Sequence, residues 1–129
     1  MKSKDYLKNA TAYFWKESFA IIKSDQSYPD AFAVIKDKNE ITVIIDQNKL
    51  QGTILKEYEK NWKILTLDII FSLDTVGILT KISGCLSEKG IPVMAISAYS
   101  RDHFLIRDID VDNSVGALKS IGITILQIN

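Results

Sequence analysis

The second half of the chain is organised by changes of hydrophobic period. Between Trp62 and Phe71, Leu65, Leu67 and Ile69 alternate with Thr66 and Asp68 in a β-branched, aromatic context, which predicts a strand buried mainly on one face. From Val76 the step lengthens: Val76, Leu79, Ile82 and Leu86 fall at three- and four-residue spacing, with Lys81, Glu88 and Lys89 left for the other face. Asp74 or Thr75 is a natural N-cap for this helix. Gly90 is placed for the left-handed position after its last turn, and Pro92 blocks continuation. Val93 to Tyr99 then reads as a strand, Ser100 to His103 as a turn, and Phe104 to Ile109 as the returning strand. A second helix, capped by Asp110 or Asp112, carries Val115, Leu118 and Ile121 and ends at Gly122, before a last strand from Ile123 to Ile128.

The order strand, helix, strand, strand, helix, strand predicts an α+β class and a ferredoxin-like βαββαβ sandwich over residues 62–129. Two short helices cover only one face of such a sheet. The other face needs cover from a second module or a second chain, because a largely apolar open face is an association surface.

The first half has a weaker pattern. Phe19 to Lys23 and Glu40 to Asp46 are strands, joined through a stretch with Pro29 in which only Asp30 to Ile35 could make a helical turn or a short strand, and Asp37-Lys38-Asn39 reads as a hairpin turn. Over residues 1–17, Tyr6, Leu7, Ala10, Tyr13 and Phe14 recur at roughly helical spacing, which favours a frayed helix over an edge strand at Thr11 to Trp15. Gln47 to Asn61 is polar and reads as the linker between two modules, 1–61 and 62–129.

Composition narrows the function classes. The 129 residues carry 16 basic and 16 acidic side chains, so neither a basic field for nucleic acid nor an acidic field is available. The single cysteine, Cys85, excludes an intramolecular disulfide and a thiol pair for zinc. No apolar run approaches the roughly 20 residues that cross a bilayer, and nothing after Met1-Lys2-Ser3-Lys4-Asp5 resembles a signal core. The expectation is a cytoplasmic protein with no membrane contact, no nucleic acid partner, no metal and no cofactor.

The stretch from Trp62 resembles the second module of small tandem-ACT bacterial proteins, the group related to CASTOR-type amino-acid sensors. The resemblance is carried by Phe71-Ser72-Leu73, Gly77-Ile78-Leu79, Ile82-Ser83 and Leu86 to Ile91, and most specifically by Ser97-Ala98-Tyr99-Ser100-Arg101-Asp102-His103-Phe104-Leu105-Ile106. In the last, Ala98 stands where that group has threonine and Ile106 where it has valine. Glu40-Ile41-Thr42-Val43-Ile44 resembles a strand of the first module, whose usual tryptophan after the proline is here Phe32. The resemblance implies two ACT-like modules, the first abbreviated, an amino-acid ligand, no catalytic activity and a homodimer.

Candidate ligand residues cluster at the start of the first helix: Asp74, Thr75, Val76, Gly77 and Ile78. Exposed amides at a helix N-terminus attract a carboxylate, Gly77 removes a Cβ from the approach, and Asp74 could take an ammonium. The bland alternative is that Asp74 is only an N-cap and Gly77 only eases packing. Ile91, Pro92 and Val93 are expected beside this entrance, as a secondary ligand edge or simply as a helix stop and buried strand start. His103 reads as a solvated turn residue, and Cys85 as a small buried hydrophobe. The competing functions are a structural dimerisation partner without a ligand, an RNA-binding module of the same topology, which lacks the aromatic and basic surface it would need, and an acylphosphatase-like hydrolase, which lacks the phosphate-cradling arginine.

Overall fold

A computed structural model describes residues 7–50, 57–70 and 77–126. The chain divides into two compact units: Glu17–Trp62, and the residues on either side of it, up to Lys16 and from Lys63.

The flanking unit is the βαββαβ sandwich with one added strand. Its elements are β1 (Thr11–Phe14), the second half of β5 (Glu57–Leu67), α1 (Ile78–Glu88), β6 (Val93–Ser97), β7 (Asp102–Arg107), α2 (Val111–Ser120) and β8 (Thr124–Leu126). β6 pairs with β7, β7 with β5, β5 with β1 and β1 with β8. The N-terminal strand therefore lies between the first and last strands of the sandwich, antiparallel to β5 (Ala12 opposite Leu67) and parallel to β8 (Ala12 opposite Ile125).

This corrects the N-terminal helix expected over residues 1–17 for the part from residue 8 on; residues 1–6 lie outside the described residues. Leu7, the first described residue, is helical; Asn9 at φ 66° turns the chain towards β1, and its N–H donates to the Gly122 carbonyl. From Thr11 the operative period is two. Ala12 and Phe14 face the helices, and two neighbouring strands saturate the backbone, which an isolated short helix could not match.

Both helices end as the sequence predicts, through the same device. Gly90 at φ 72° donates to Ser87 and Ile91 donates to Leu86; Gly122 at φ 96° donates to Lys119 and Ile123 to Leu118. In each case the residue after the glycine is buried in the same core as its acceptor, so the cap also anchors the next strand. That core gathers Leu65, Leu67, Ile82, Leu86, Phe104, Ile106, Leu118 and Ile123 between the helices and one sheet face. On the opposite face, which the sequence reading expects to need cover, Ile64, Thr66 and Leu105 are buried.

The starts of the elements fit less well. α1 begins at Ile78, with Gly77 rather than Asp74 or Thr75 as its cap residue, and α2 follows a 3-10 turn over Asp108–Asp110, with Asp110 in the cap position but no side-chain cap bond. β5 ends at Leu67, short of Phe71, which lies outside the described residues.

Glu17–Trp62 holds β2 (Phe19–Ser24), β3 (Ala33–Lys36), β4 (Ile41–Asp46), a 3-10 turn at Gln47–Leu50 and the first half of β5. β2 pairs antiparallel with both β4 and β5, and β3 pairs antiparallel with β4. Ala20, Ile22, Val43, Ile45 and Leu50 form its core. The Asp37 carboxylate accepts from the amides of Asn39 and Glu40, closing the β3–β4 hairpin where the sequence places a turn. Residues 57–61, taken as linker from their polarity, are strand. Lys23 reaches Glu57 at 3.4 Å, and the side chain of Gln47 clasps Asn61, whose φ of 66° marks an extra residue opposite Phe19 and Ile21.

Candidate functional site

Gly77 stands at φ 85°, ψ −7°, a left-handed conformation that glycine adopts without cost, and among the described residues no side chain caps the helix it opens. Its carbonyl accepts the first helical bond, from Lys81, and Ile78 is buried in the core below. Among the described residues, the first-turn amides of α1 therefore have no side-chain acceptor at the cap, an arrangement that can receive an anion. Asp74, Thr75 and Val76 lie outside the described residues.

Ile91, Pro92 and Val93 are not beside this entrance. The N–H of Ile91 bonds to Leu86, at the far end of α1. Eleven residues of helix separate the two groups, about 16 Å at the usual rise per residue. The cause is the crossover itself: a helix returning between two strands runs against them, so the residue that follows it lies at the opposite end of the sheet. Ile91 is buried, Val93 is partly buried, and Pro92 is exposed.

A polar cluster that the sequence does not announce lies on the sheet face away from the helices. The indole N–H of Trp15 donates to Thr66 Oγ1 at 2.8 Å, and the same oxygen is 2.8 Å from Nδ1 of His103. The Trp15 bond uses one of the two lone pairs of Thr66 Oγ1, so the hydroxyl can donate to a bare Nδ1 or accept from a protonated one, and the tautomer of His103 sets the direction. Burial pushes the His103 pKa below the usual 6.5, with Arg101 acting in the same direction and Asp102 opposing. His103 is thus a strand residue in a polar network, not a solvated turn; the turn is Ala98 to Arg101, closed by the Ala98 N–H donating to Arg101. The signal available in the sequence was parity, since His103 shares its face with Leu105 rather than with Phe104. Beside the cluster, Arg101 Nε meets Asp68 at 2.9 Å in a pair exposed enough to add little stability.

Cys85 donates its thiol to the Ala117 carbonyl at 3.2 Å, joining α1 to α2, and burial, aided by Glu88, raises its pKa. That is the opposite of an activated thiolate. Among the described residues no group of three or more histidine, cysteine or acidic side chains could hold a metal ion, and no helix is long and apolar enough to cross a membrane.

Comparison with known proteins defines the class. Residues 57–120 match the family profile of the ACT domain. Among solved structures, a protein from Agrobacterium tumefaciens superposes with a TM-score of 0.81 at 18% identity, over 94% of this chain and 95% of that one. A protein from Vibrio cholerae described as a possible transport protein gives 0.78 at 20% identity, covering 95% of both chains. The regulatory subunit of aspartate kinase from Thermus thermophilus gives 0.61 at 10% identity, over 89% of this chain and 97% of that one. A search of curated proteins finds no match. The fold is an ACT-type, ferredoxin-like α+β sandwich, of the kind found in the regulatory portion of aspartate kinases.

Proposed function

We propose that this chain is a non-catalytic regulatory protein that binds an amino acid through two ACT-like modules and acts as a homodimer in the cytoplasm, without cofactor, nucleic acid or membrane. The abbreviated module would be Glu17–Trp62, and the C-terminal ACT domain would follow it with β1 from the N-terminus added to its sheet. The observation that supports the reading is the left-handed backbone at Gly77: among the described residues no side chain caps α1, so a ligand carboxylate has first-turn amides to meet there. Asp74 and Thr75, a few residues earlier in the sequence, are the candidates for the ligand's ammonium.

The separation of Gly77–Ile78 from Ile91–Val93 favours a ligand held at a junction between two modules or two subunits. β6 pairs only with β7 among the described residues, so one of its edges is available. Two copies joined antiparallel along β6 would bring the start of one β6 to the end of the other, the end at which α1 begins. A two-fold interface of that kind makes two equal sites, each with an entrance from one copy and Ile91, Pro92 and Val93 from its partner.

The test is a thermal-shift screen of the twenty amino acids at millimolar concentration, with light scattering on the same samples. Specific binding raises the melting temperature by mass action. A folded dimer that no amino acid stabilises would sink the ligand half of the proposal and leave a structural dimerisation protein. A monomer that binds would sink the two-copy site.

A further inference from the structure

The C-terminal end of α1 and the outer face of α2 enclose an open cleft of about 380 Å³, lined by Lys89, Asp112, Asn113, Gly116, Ala117 and Ser120. That volume lies in the range of small-molecule sites. It lies on the solvent side of the helices, at the opposite end of α1 from Gly77. Asp112, Gly116 and Ser120 follow one another at four-residue steps, with Asn113 and Ala117 alongside, so one helical face forms the wall.

The chemistry of this wall is divided. Lys89 supplies a cation and Asn113 an amide donor, while Asp112 supplies an anion. Ser120 spends its proton on the Ala117 carbonyl and offers the cleft an acceptor. Neither Lys89 nor Asp112 makes an ion pair among the described residues, and Asp112 is not consumed in capping α2. The middle of the wall is a glycine, which weakens a helix interior and is exposed here; a Cβ built on Gly116 meets nothing within 4 Å. The cleft is thus open over Gly116 and bordered by charges of both signs.

We propose that this cleft binds a small zwitterion, its carboxylate on Lys89 and Asn113 and its cationic end on Asp112 and Ser120. The site is independent of the entrance at Gly77, and either can exist without the other.

The test is a ¹⁵N-resolved NMR titration of the full chain with the twenty amino acids at millimolar concentration, and with acetate and methylamine as half-ligands. The expected result is shifts centred on Lys89 and on Asn113 to Ser120 for at least one zwitterion. Each half-ligand should bind roughly tenfold or more weaker, since each forgoes a charged hydrogen bond. Gly116→Leu should abolish the shifts while the spectrum stays dispersed, because the substitution fills the cleft and improves the helix. Lys89→Glu should weaken binding without closing the space. No shift at these amides for any amino acid, equal binding of acetate or methylamine, or undiminished binding to Gly116→Leu would each overturn the proposal. Shifts confined to Gly77–Leu79 would overturn it too, while supporting the separate entrance site.

Discussion

The hydroxyl of Thr66 and Nδ1 of His103 stand 2.8 Å apart across two strands, with the Trp15 indole donating to the same oxygen. Burial of the ring favours the neutral imidazole, and protonation would fix Thr66 Oγ1 as the acceptor from both neighbours and turn its own proton elsewhere.

A pH dependence of stability follows, with a defined sign. Burial depresses the folded-state pKa of His103, so its contribution is complete above the ordinary value of 6.5 and is lost as pH falls from there through the lower folded value. His103 is the single histidine, and the carboxylate of Asp37, held below the usual range by the Asn39 and Glu40 amides, loses its contribution only in more acid solution. Urea denaturation at steps between pH 5 and 8 should show stability falling towards pH 5. His103→Gln should flatten that slope. An unchanged slope in the variant would refute the assignment.

Thr66 itself is fully buried and serves two partners. Thr66→Val keeps the β-branched shape but removes the shared oxygen, and should cost about 1–3 kcal/mol, the usual penalty when buried polar groups lose a partner. Thr66→Ser keeps the oxygen and should recover most of it. Chemical denaturation of the two variants side by side measures the difference, and equal losses would mean that the methyl group rather than the hydroxyl matters.

What could be read from the sequence was what is encoded locally. Gly90, Pro92 and Gly122 marked the helix ends because a left-handed glycine and a missing amide act on their own neighbours, and Asp37-Lys38-Asn39 marked a turn for the same reason. The strand at Thr11–Phe14 was hidden: Leu7, Ala10 and Phe14 satisfy a helical period, and only pairing with residues at the other end of the chain makes the alternation of Ala12 and Phe14 decisive. Glu57 to Asn61 were hidden because they are exposed and polar, so their strand state rests on backbone pairing with β2 and not on any apolar pattern. For the candidate site, the special backbone at Gly77 was legible as a glycine. The distance between it and Ile91 was not, because closeness in sequence across a crossover helix becomes separation along the sheet.

The left-handed glycines make the next prediction. Gly90→Ala and Gly122→Ala should each lower stability by about 1–2 kcal/mol, the cost of a Cβ in that conformation. Neither loss would be relieved by space: a Cβ at Gly90 meets nothing within 4 Å, and one at Gly122 makes only ordinary contacts with the backbone of residues 7–9. Asparagine should recover part of the loss at either position, since Asn9 and Asn61 already occupy the same region of backbone space in this chain. Thermal unfolding of the alanine and asparagine pairs is the measurement, and alanine as stable as wild type at both sites would contradict the caps.

Asn61 tests whether the irregular strand is held by backbone or by side chain. Its amide N–H donates to Gln47 Oε1 at 2.8 Å and its side-chain oxygen accepts from Gln47 Nε2 at 3.0 Å, while its own φ is 66°. Asn61→Gly relieves the conformation and removes only the side-chain half of the clasp; Asn61→Ala removes that half and strains the backbone. The glycine variant should therefore be the more stable, by about 1 kcal/mol. Gln47→Ala removes both halves, so in the Gln47→Ala background the gap between the two Asn61 variants should persist, being a backbone effect, while the cost of losing the Asn61 side chain should shrink. A double-mutant cycle by urea denaturation reads both quantities. If the gap between glycine and alanine vanished with Gln47, the clasp rather than the left-handed conformation would be what sets the extra residue opposite β2.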